Sequence, residues 1–270
     1  MMCVSTDNMN VALATKIKII VQDIKINNRE SNLNGLTVAQ ISDLHINKWN
    51  IELVEHAVEV LNKINPDMVV MTGDAICSGK KFIPDLTRIF KNIKASYGKF
   101  ACLGNHDHSD GDDGMQVQQA YKNSDFQVLM NESVKVNFRG ESLFIAGADD
   151  IELGRQDIEA MVKNIPQEAT SLYLIHNPCN FNQFAQFKPD LVLAGHTHGG
   201  QIYFSFLNFI YKTMLHSHYI LGLYSLEKSL LYVNSGIGNA LISPVLFNKK
   251  FTIHTPRINS QPEISLFRFA

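Results

Sequence analysis

Five short clusters of metal-ligand residue types follow one another along the chain: Asp43-Leu44-His45, Gly73-Asp74, Gly104-Asn105-His106-Asp107, His176, and Gly195-His196-Thr197-His198. Imidazole nitrogens mixed with carboxylate and amide oxygens suit borderline divalent ions such as Mn²⁺, Fe²⁺, Zn²⁺ or Co²⁺. The set is too large for one ion. Two ions about 3.5–4 Å apart, with ligands on both sides and a bridging carboxylate, make the arrangement used for phosphoryl chemistry. A carboxylate can bridge because it has two oxygens and a charge that offsets the repulsion between the ions. Ions so placed lower the pKa of bound water and make it a nucleophile near neutral pH. Gly73, Gly104 and Gly195 precede their clusters, where the chain must turn sharply and its backbone approach the ions closely.

These clusters sit where short apolar, β-branched runs end. Leu36–Ile41, Met68–Thr72, Phe100–Leu103, Leu143–Ala146, Leu172–Ile175 and Leu191–Ala194 read as strands. Five of the six lead directly into a ligand-type residue, and carboxyl ends of strands are where α/β sites form. Ile51, Val54, Val58, Leu61 and Ile64 recur at helical spacing, and Pro66 closes that helix. Pro84–Ala95, Gly114–Asn123 and Arg155–Asn164 are further predicted helices. Strands alternating with helices imply layered α/β architecture. Leu230–Asn234 and Ile264–Phe269 are expected to close a second sheet, giving a β-sandwich flanked by helices. No repeat or linker divides the 270 residues, so one domain over 1–270 is expected.

Composition excludes little and points to a globular enzyme: 45% hydrophobic, 19% charged. A net charge of −2 and the lack of a basic patch argue against a nucleic-acid binder, and so against a nuclease. Cys3, Cys77, Cys102 and Cys179 form no C-x-x-C pair, which suits free thiols in a reducing compartment. Met1 to Asn10 carries no apolar leader, and cytoplasmic residence is the expectation.

The order D-x-H, G-D, G-N-H-D, H, G-H-x-H resembles the calcineurin-like metallophosphoesterases from Asp43 to His198. One such block alone is a weak signal, whereas five in order are specific. The resemblance implies a four-layer α/β/β/α sandwich with mixed sheets and two divalent ions (Mn, Fe, Zn or Co). Asp43, His45 and His198 would hold the first ion, Asp74 would bridge, and Asn105, His176 and His196 would complete the second. His106 and Asp107 are the catalytic candidates, with His106 expected to contact the substrate phosphate or protonate the leaving oxygen. The substrate would be a phosphate ester or pyrophosphate. Many relatives carry an acid or histidine three positions after the bridging aspartate, where this chain has Cys77. If that group orients the histidine, Asp107, or Asp149 and Asp150, are the available substitutes.

Gly195 to Gln201, GHTHGGQ, is similar to a bacterial branch in which several members are membrane-associated. Some cleave the pyrophosphate of UDP-2,3-diacylglucosamine in lipid A synthesis. Ile202–Leu221 then reads either as buried strand and helix or as an apolar flap at the inner membrane surface. Its Asn208, Lys212, His216 and His218 argue against a membrane span. A general phosphodiesterase or phosphatase is the alternative reading, and a non-catalytic metal-binding scaffold is the alternative of a different class. His56 reads as a solvated surface residue, and the 110–113 turn as a solvated loop. His108 reads equally as surface or pocket, and His216, His218 and His254 have no motif partners.

Overall fold

Runs such as Met68–Met71 and Leu191–Ala194 are apolar at every position, so strands built from them must be covered on both faces. A computed structural model of the chain describes residues 16–26, 31–77, 80–108, 114–201, 213, 217–239 and 257–270, and short backbone segments between 241 and 254. Two six-stranded mixed sheets organise these residues. The first has the order β1 (Lys18–Ile24), β16 (Glu263–Phe269), β2 (Thr37–Ile41), β3 (Met68–Thr72), β4 (Lys99–Cys102), β5 (Phe126–Val128). The second has the order β10 (Gly222–Leu226), β11 (Ser229–Val233), β9 (Leu191–Ala194), β8 (Ser171–Leu174), β7 (Glu141–Gly147), β6 (Glu132–Phe138). Four two-residue strands, β12 (Leu241–Ile242), β13 (Val245–Leu246), β14 (Lys249–Lys250) and β15 (Ile253–His254), pair separately. Strands β2 to β5 are mutually parallel, as are β7, β8, β9 and β11.

Side-chain alternation makes the layers. Val38, Met68 and Val70 face Leu172, Leu174, Leu191 and Leu193 across the space between the sheets. Ala39, Val69 and Met71 point the other way, under α1 (Ile51–Ile64), α2 (Ile83–Phe90) and α4 (Met115–Lys122). On the far side, Tyr173 and Val192 pack against α5 (Ile158–Val162) and α6 (Phe181–Ala185). The result is the α/β/β/α sandwich.

Three expectations change in detail. The strand expected over Ile264–Phe269 belongs to the first sheet, not the second, lying parallel to β1 and antiparallel to β2. Its faces decide this: Ile264 joins the helix-covered core, while Phe267 and Phe269 join the layer between the sheets. The helix expected over Pro84–Ala95 stops at Phe90, where a turn sends Ile93 into the core. The helix expected over Arg155–Asn164 is reduced to Ile158–Val162, its start fixed by Asp157, whose side chain accepts from Ala160 N. Of Ile202–Leu221, residues 202–212 and 214–216 lie outside the described residues, as does the 110–113 turn. Among the described residues no helix is long and apolar enough to cross a membrane.

The layer between the sheets is the shared support of both, and Leu193 is fully buried in it. Leu193→Ala is expected to lower unfolding free energy by about 2–5 kcal/mol, read from urea melts, through lost burial and the cavity left behind.

Candidate metal centre

Five adjacent strand ends converge at one edge of the sandwich. From the first sheet, β2 leads to Asp43 and His45, β3 to Asp74, and β4 to α3 (Asn105–His108). From the second, β8 leads to His176 and β9 to His196 and His198. Asp43, His45, Asp74, His196 and His198 all have positive φ, between 44° and 69°. Left-handed backbone costs a non-glycine residue roughly 1–2 kcal/mol. Such conformations concentrated at one place mark a site whose surroundings enforce them. The enforcing bonds are visible: His45 N donates to Asp74 O (3.0 Å), and His196 N donates to the Asp43 carboxylate (3.0 Å). His106 N donates to Asp74 Oδ1 (2.9 Å). A Cβ on Gly104 would run into the Asp74 carboxylate, and one on Gly195 into Ser42 and Asp43. Side chains larger than hydrogen have no room there.

The ligand-type atoms fall into two neighbouring groups. In one, His45 Nε2 and His198 Nε2 are 2.9 Å apart, with Asp43 Oδ1 3.6 Å from His198 Nε2. In the other, His176 Nε2 lies 3.1 Å from Asn105 Oδ1, and His196 Nδ1 lies 3.2 Å from both. Asp74 Oδ2 stands between them, 3.5 Å from His45 Nε2 and 3.3 Å from His176 Nε2. Asp43 forms a ligand triad with His45 and His198 and another with Asp74 and His176.

Two facing Nε2 atoms can share at most one proton, so at least one lone pair points at the other ring. Burial, reinforced by neighbouring positive groups, pushes His45 and His196 down to about 3 and His198 well below the ordinary imidazole value. These rings are neutral and offer lone pairs at neutral pH. Burial also lifts Asp43 to about 6. Burial pulls on Asp74 and His176 too, but their mutual attraction outweighs it, holding Asp74 well below and His176 well above their usual values. His176 donates Nδ1–H to Thr72 O (2.7 Å), which turns Nε2 toward the cluster. Neutral nitrogens, buried carboxylates and an amide oxygen converging without enough protons between them fit divalent cations.

His106 stands beside this cluster, half-buried, its ring edge-on to that of His45 with centroids 4.8 Å apart. Its Nδ1 is 2.6 Å from the Cys77 carbonyl, which can only accept, so Nδ1 carries the proton. The orienting group is thus a backbone oxygen of Cys77, not Asp107, Asp149 or Asp150. The Asp107 carboxylate turns instead to backbone N–H groups of Asp74 (2.8 Å), Ala75 (3.0 Å), Gly104 (3.0 Å) and Ile76 (3.4 Å). That carboxylate ties the turn after β3 to the turn after β4. His108, whose place the sequence left open, is buried and bonded to Asp149 Oδ1 at 2.8 Å. His56 and His218 are exposed.

Two neighbours escaped the sequence reading. Arg257 places Nη2 3.2 Å from His198 Nδ1 while donating to Ser235 O (2.8 Å) and, through Nε, to Gly238 O (3.0 Å). Glu152 lies 3.5 Å from His196 Nε2 and accepts from Asn177 Nδ2 (2.9 Å). No local motif marks either residue, because each partner is remote in sequence.

Residues 36–200 match the model of the calcineurin-like phosphoesterases, which covers every ligand-type cluster above. The chain belongs to this family of metal-dependent hydrolases. Among its relatives is the Bacillus subtilis metallophosphoesterase YkuE, 29% identical over 87% of this chain and 79% of that protein. Another is the UDP-2,3-diacylglucosamine pyrophosphatase LpxG of Chlamydia muridarum, 26% identical over 82% of this chain and 84% of that protein. Two further relatives are longer, and the chain spans 60% and 53% of their lengths. The crystal structure of TT1561 from Thermus thermophilus shares the fold, with a TM-score of 0.51 at 12% identity over 82% of this chain and 99% of that one.

Two outcomes are expected from this geometry. Asp107→Ala strands buried N–H groups of Asp74, Ala75 and Gly104, and should cost about 3 kcal/mol or more in denaturant melts, while Asp107→Asn should cost less. A chelator should lower the thermal midpoint of the wild type, because cations that bind only the folded state stabilise it. The same treatment of Asp74→Asn should shift the midpoint far less.

Proposed function

We propose that the protein is a two-metal hydrolase of a phosphodiester or pyrophosphate bond, with His106 as its catalytic histidine and Asp43, His45, Asp74, Asn105, His176, His196 and His198 as ligands. The observation that carries this reading is the pair of ligand groups sharing Asp74 Oδ2. Two divalent ions held there would supply positive charge to the phosphoryl oxygens and lower the pKa of a water molecule. The chain's own residues do the rest. His106, pinned through Nδ1 by the Cys77 carbonyl, presents Nε2 to the phosphate or the leaving oxygen and exchanges a proton there. Asp107 acts by positioning: it fixes the turns that carry Asp74 and Asn105.

For the substrate we propose a nucleotide- or lipid-linked pyrophosphate of the UDP-2,3-diacylglucosamine kind, acting from a peripheral position at the inner membrane. Two observations support this. The likeness to LpxG runs along most of both chains. Large apolar side chains are also exposed on the loops after β2 and β7 and before β16: Trp49, Ile151, Leu153 and Ile258. Ile258 N donates to Gln201 O, beside the His198 turn. Exposed apolar side chains on loops of the site-bearing end suit a substrate with a charged reactive bond and acyl chains.

The test compares Mn²⁺-dependent hydrolysis of a chromogenic phosphodiester and of UDP-2,3-diacylglucosamine. His106→Ala should lose about 10²–10⁴-fold in kcat while still binding metal. Cleavage of the lipid-linked substrate supports the substrate assignment. Cleavage of the simple diester alone leaves a general phosphodiesterase, and cleavage of neither, with metal bound, returns the chain to a scaffold role.

A further inference from the structure

His196 meets the cluster with a different nitrogen from its neighbours. His45 and His176 turn Nε2 toward Asp74 Oδ2, at 3.5 and 3.3 Å, and His198 turns Nε2 toward that of His45 at 2.9 Å. His196 instead sets Nδ1 3.2 Å from both Asn105 Oδ1 and His176 Nε2. A neutral imidazole carries one proton, so a lone pair offered by Nδ1 to a cation puts that proton on Nε2. This outward nitrogen lies 3.5 Å from Glu152 Oε1.

Glu152 is itself held from two sides. Its backbone N–H donates to Asp150 Oδ1 (2.9 Å), in a loop that Asp149 closes by accepting from Arg155 N (2.7 Å). On the other side Asn177 Nδ2 donates to the same Oε1 at 2.9 Å. The direction of that amide is fixed, because Asn177 Oδ1 accepts from Cys179 N at 3.0 Å and only an acceptor can face an N–H. Asn177 directly follows His176. The turn that carries His176 therefore also steadies the acid behind His196.

We propose that Glu152 is a positioning residue for the second ion, holding His196 with its proton on Nε2 and lending it negative charge through the line Asn177–Glu152–His196. The role rests on the two-metal function proposed above. A carboxylate behind a ligating imidazole fixes the direction of the ring and makes the nitrogen facing the cation more basic. His176 has only a neutral outer partner, the Thr72 carbonyl. The two ions also differ in what they are given. The first has Asp43 to itself besides its share of Asp74. The second has its share of Asp74 with Asn105, His176 and His196, which carry no negative charge. Glu152 supplies that charge from one imidazole away.

The experiment measures Mn²⁺ binding to the full chain by isothermal titration calorimetry, with urea melts of the metal-free protein alongside. Asn105→Ala removes a ligand of the second ion alone and so identifies its binding step. Glu152→Ala should weaken that same step about 10–100-fold, leaving the other step and the metal-free melt unchanged. Glu152→Gln keeps an oxygen that can accept from Nε2–H but loses the charge, and should fall between Glu152→Ala and the wild type. Unchanged Mn²⁺ affinity in both variants overturns the proposal, and so does a defect confined to KM at saturating Mn²⁺, which would place Glu152 on the substrate. Equal weakening of both steps together with a lowered metal-free melt also overturns it, leaving an acid that only supports the fold. If hydrolysis is intact and Mn²⁺ affinity ignores Glu152, the function stands and the positioning role fails. If the second step follows Glu152 but the wild type hydrolyses neither substrate, the positioning role stands and the phosphoesterase reading is what fails.

Discussion

One electrostatic constraint governs this end of the protein: the carboxylates of Asp43 and Asp74 and the imidazoles of His45, His176 and His198 lie buried together, with the half-buried His196 against His176. Without external charge the cluster is frustrated. Asp74 and His176 hold each other as an ion pair, Asp43 is pushed up to about 6, and three imidazoles are forced neutral. Divalent cations resolve that frustration, because they satisfy several lone pairs at once and balance the carboxylates.

The rest of the architecture can be understood as what holds such a cluster together. Parallel neighbours β2, β3 and β4 bring three strand ends side by side, and parallel β8 and β9 bring two more across the sandwich. Gln40 links the sheets just below, donating to Thr72 Oγ1 and to Ala194 O, both at 2.9 Å. Asp107 closes two turns through backbone N–H groups, and Asn47 and Asn50 brace the loop after His45 through its carbonyl. Left-handed backbone at five ligand-type residues is tolerated because this network over-determines it.

Above the cluster the character changes. His106 is half-buried, Glu152 reaches His196, and Trp49, Ile151 and Leu153 are exposed on the loops after β2 and β7. The loop from Asp149 to Arg155 is held from within, Asp149 accepting from Arg155 N (2.7 Å) and Asp150 from Leu153 N (2.8 Å). It presents Ile151 and Leu153 on a rigid support.

The ligand-type residues were legible in the sequence because their side chains must be of particular kinds and must follow strands, and strands with both faces covered are apolar at every position. The layered fold was legible for the same reason, down to the helix over Ile51–Ile64. What local pattern could not decide was anything set by a distant partner. The last strand's place in the first sheet depends on Phe267 and Phe269 meeting Leu36-side neighbours of the same inter-sheet core, not on its own alternation. His108 is buried only because Asp149 waits 41 residues further on, and Arg257 reaches His198 across 59. The orientation of His106 left no trace in residue types at all, since the acceptor is the Cys77 carbonyl and every residue has one. Side-chain chemistry is written along the chain; backbone acceptors and long-range pairs exist only once the sheets have brought them together.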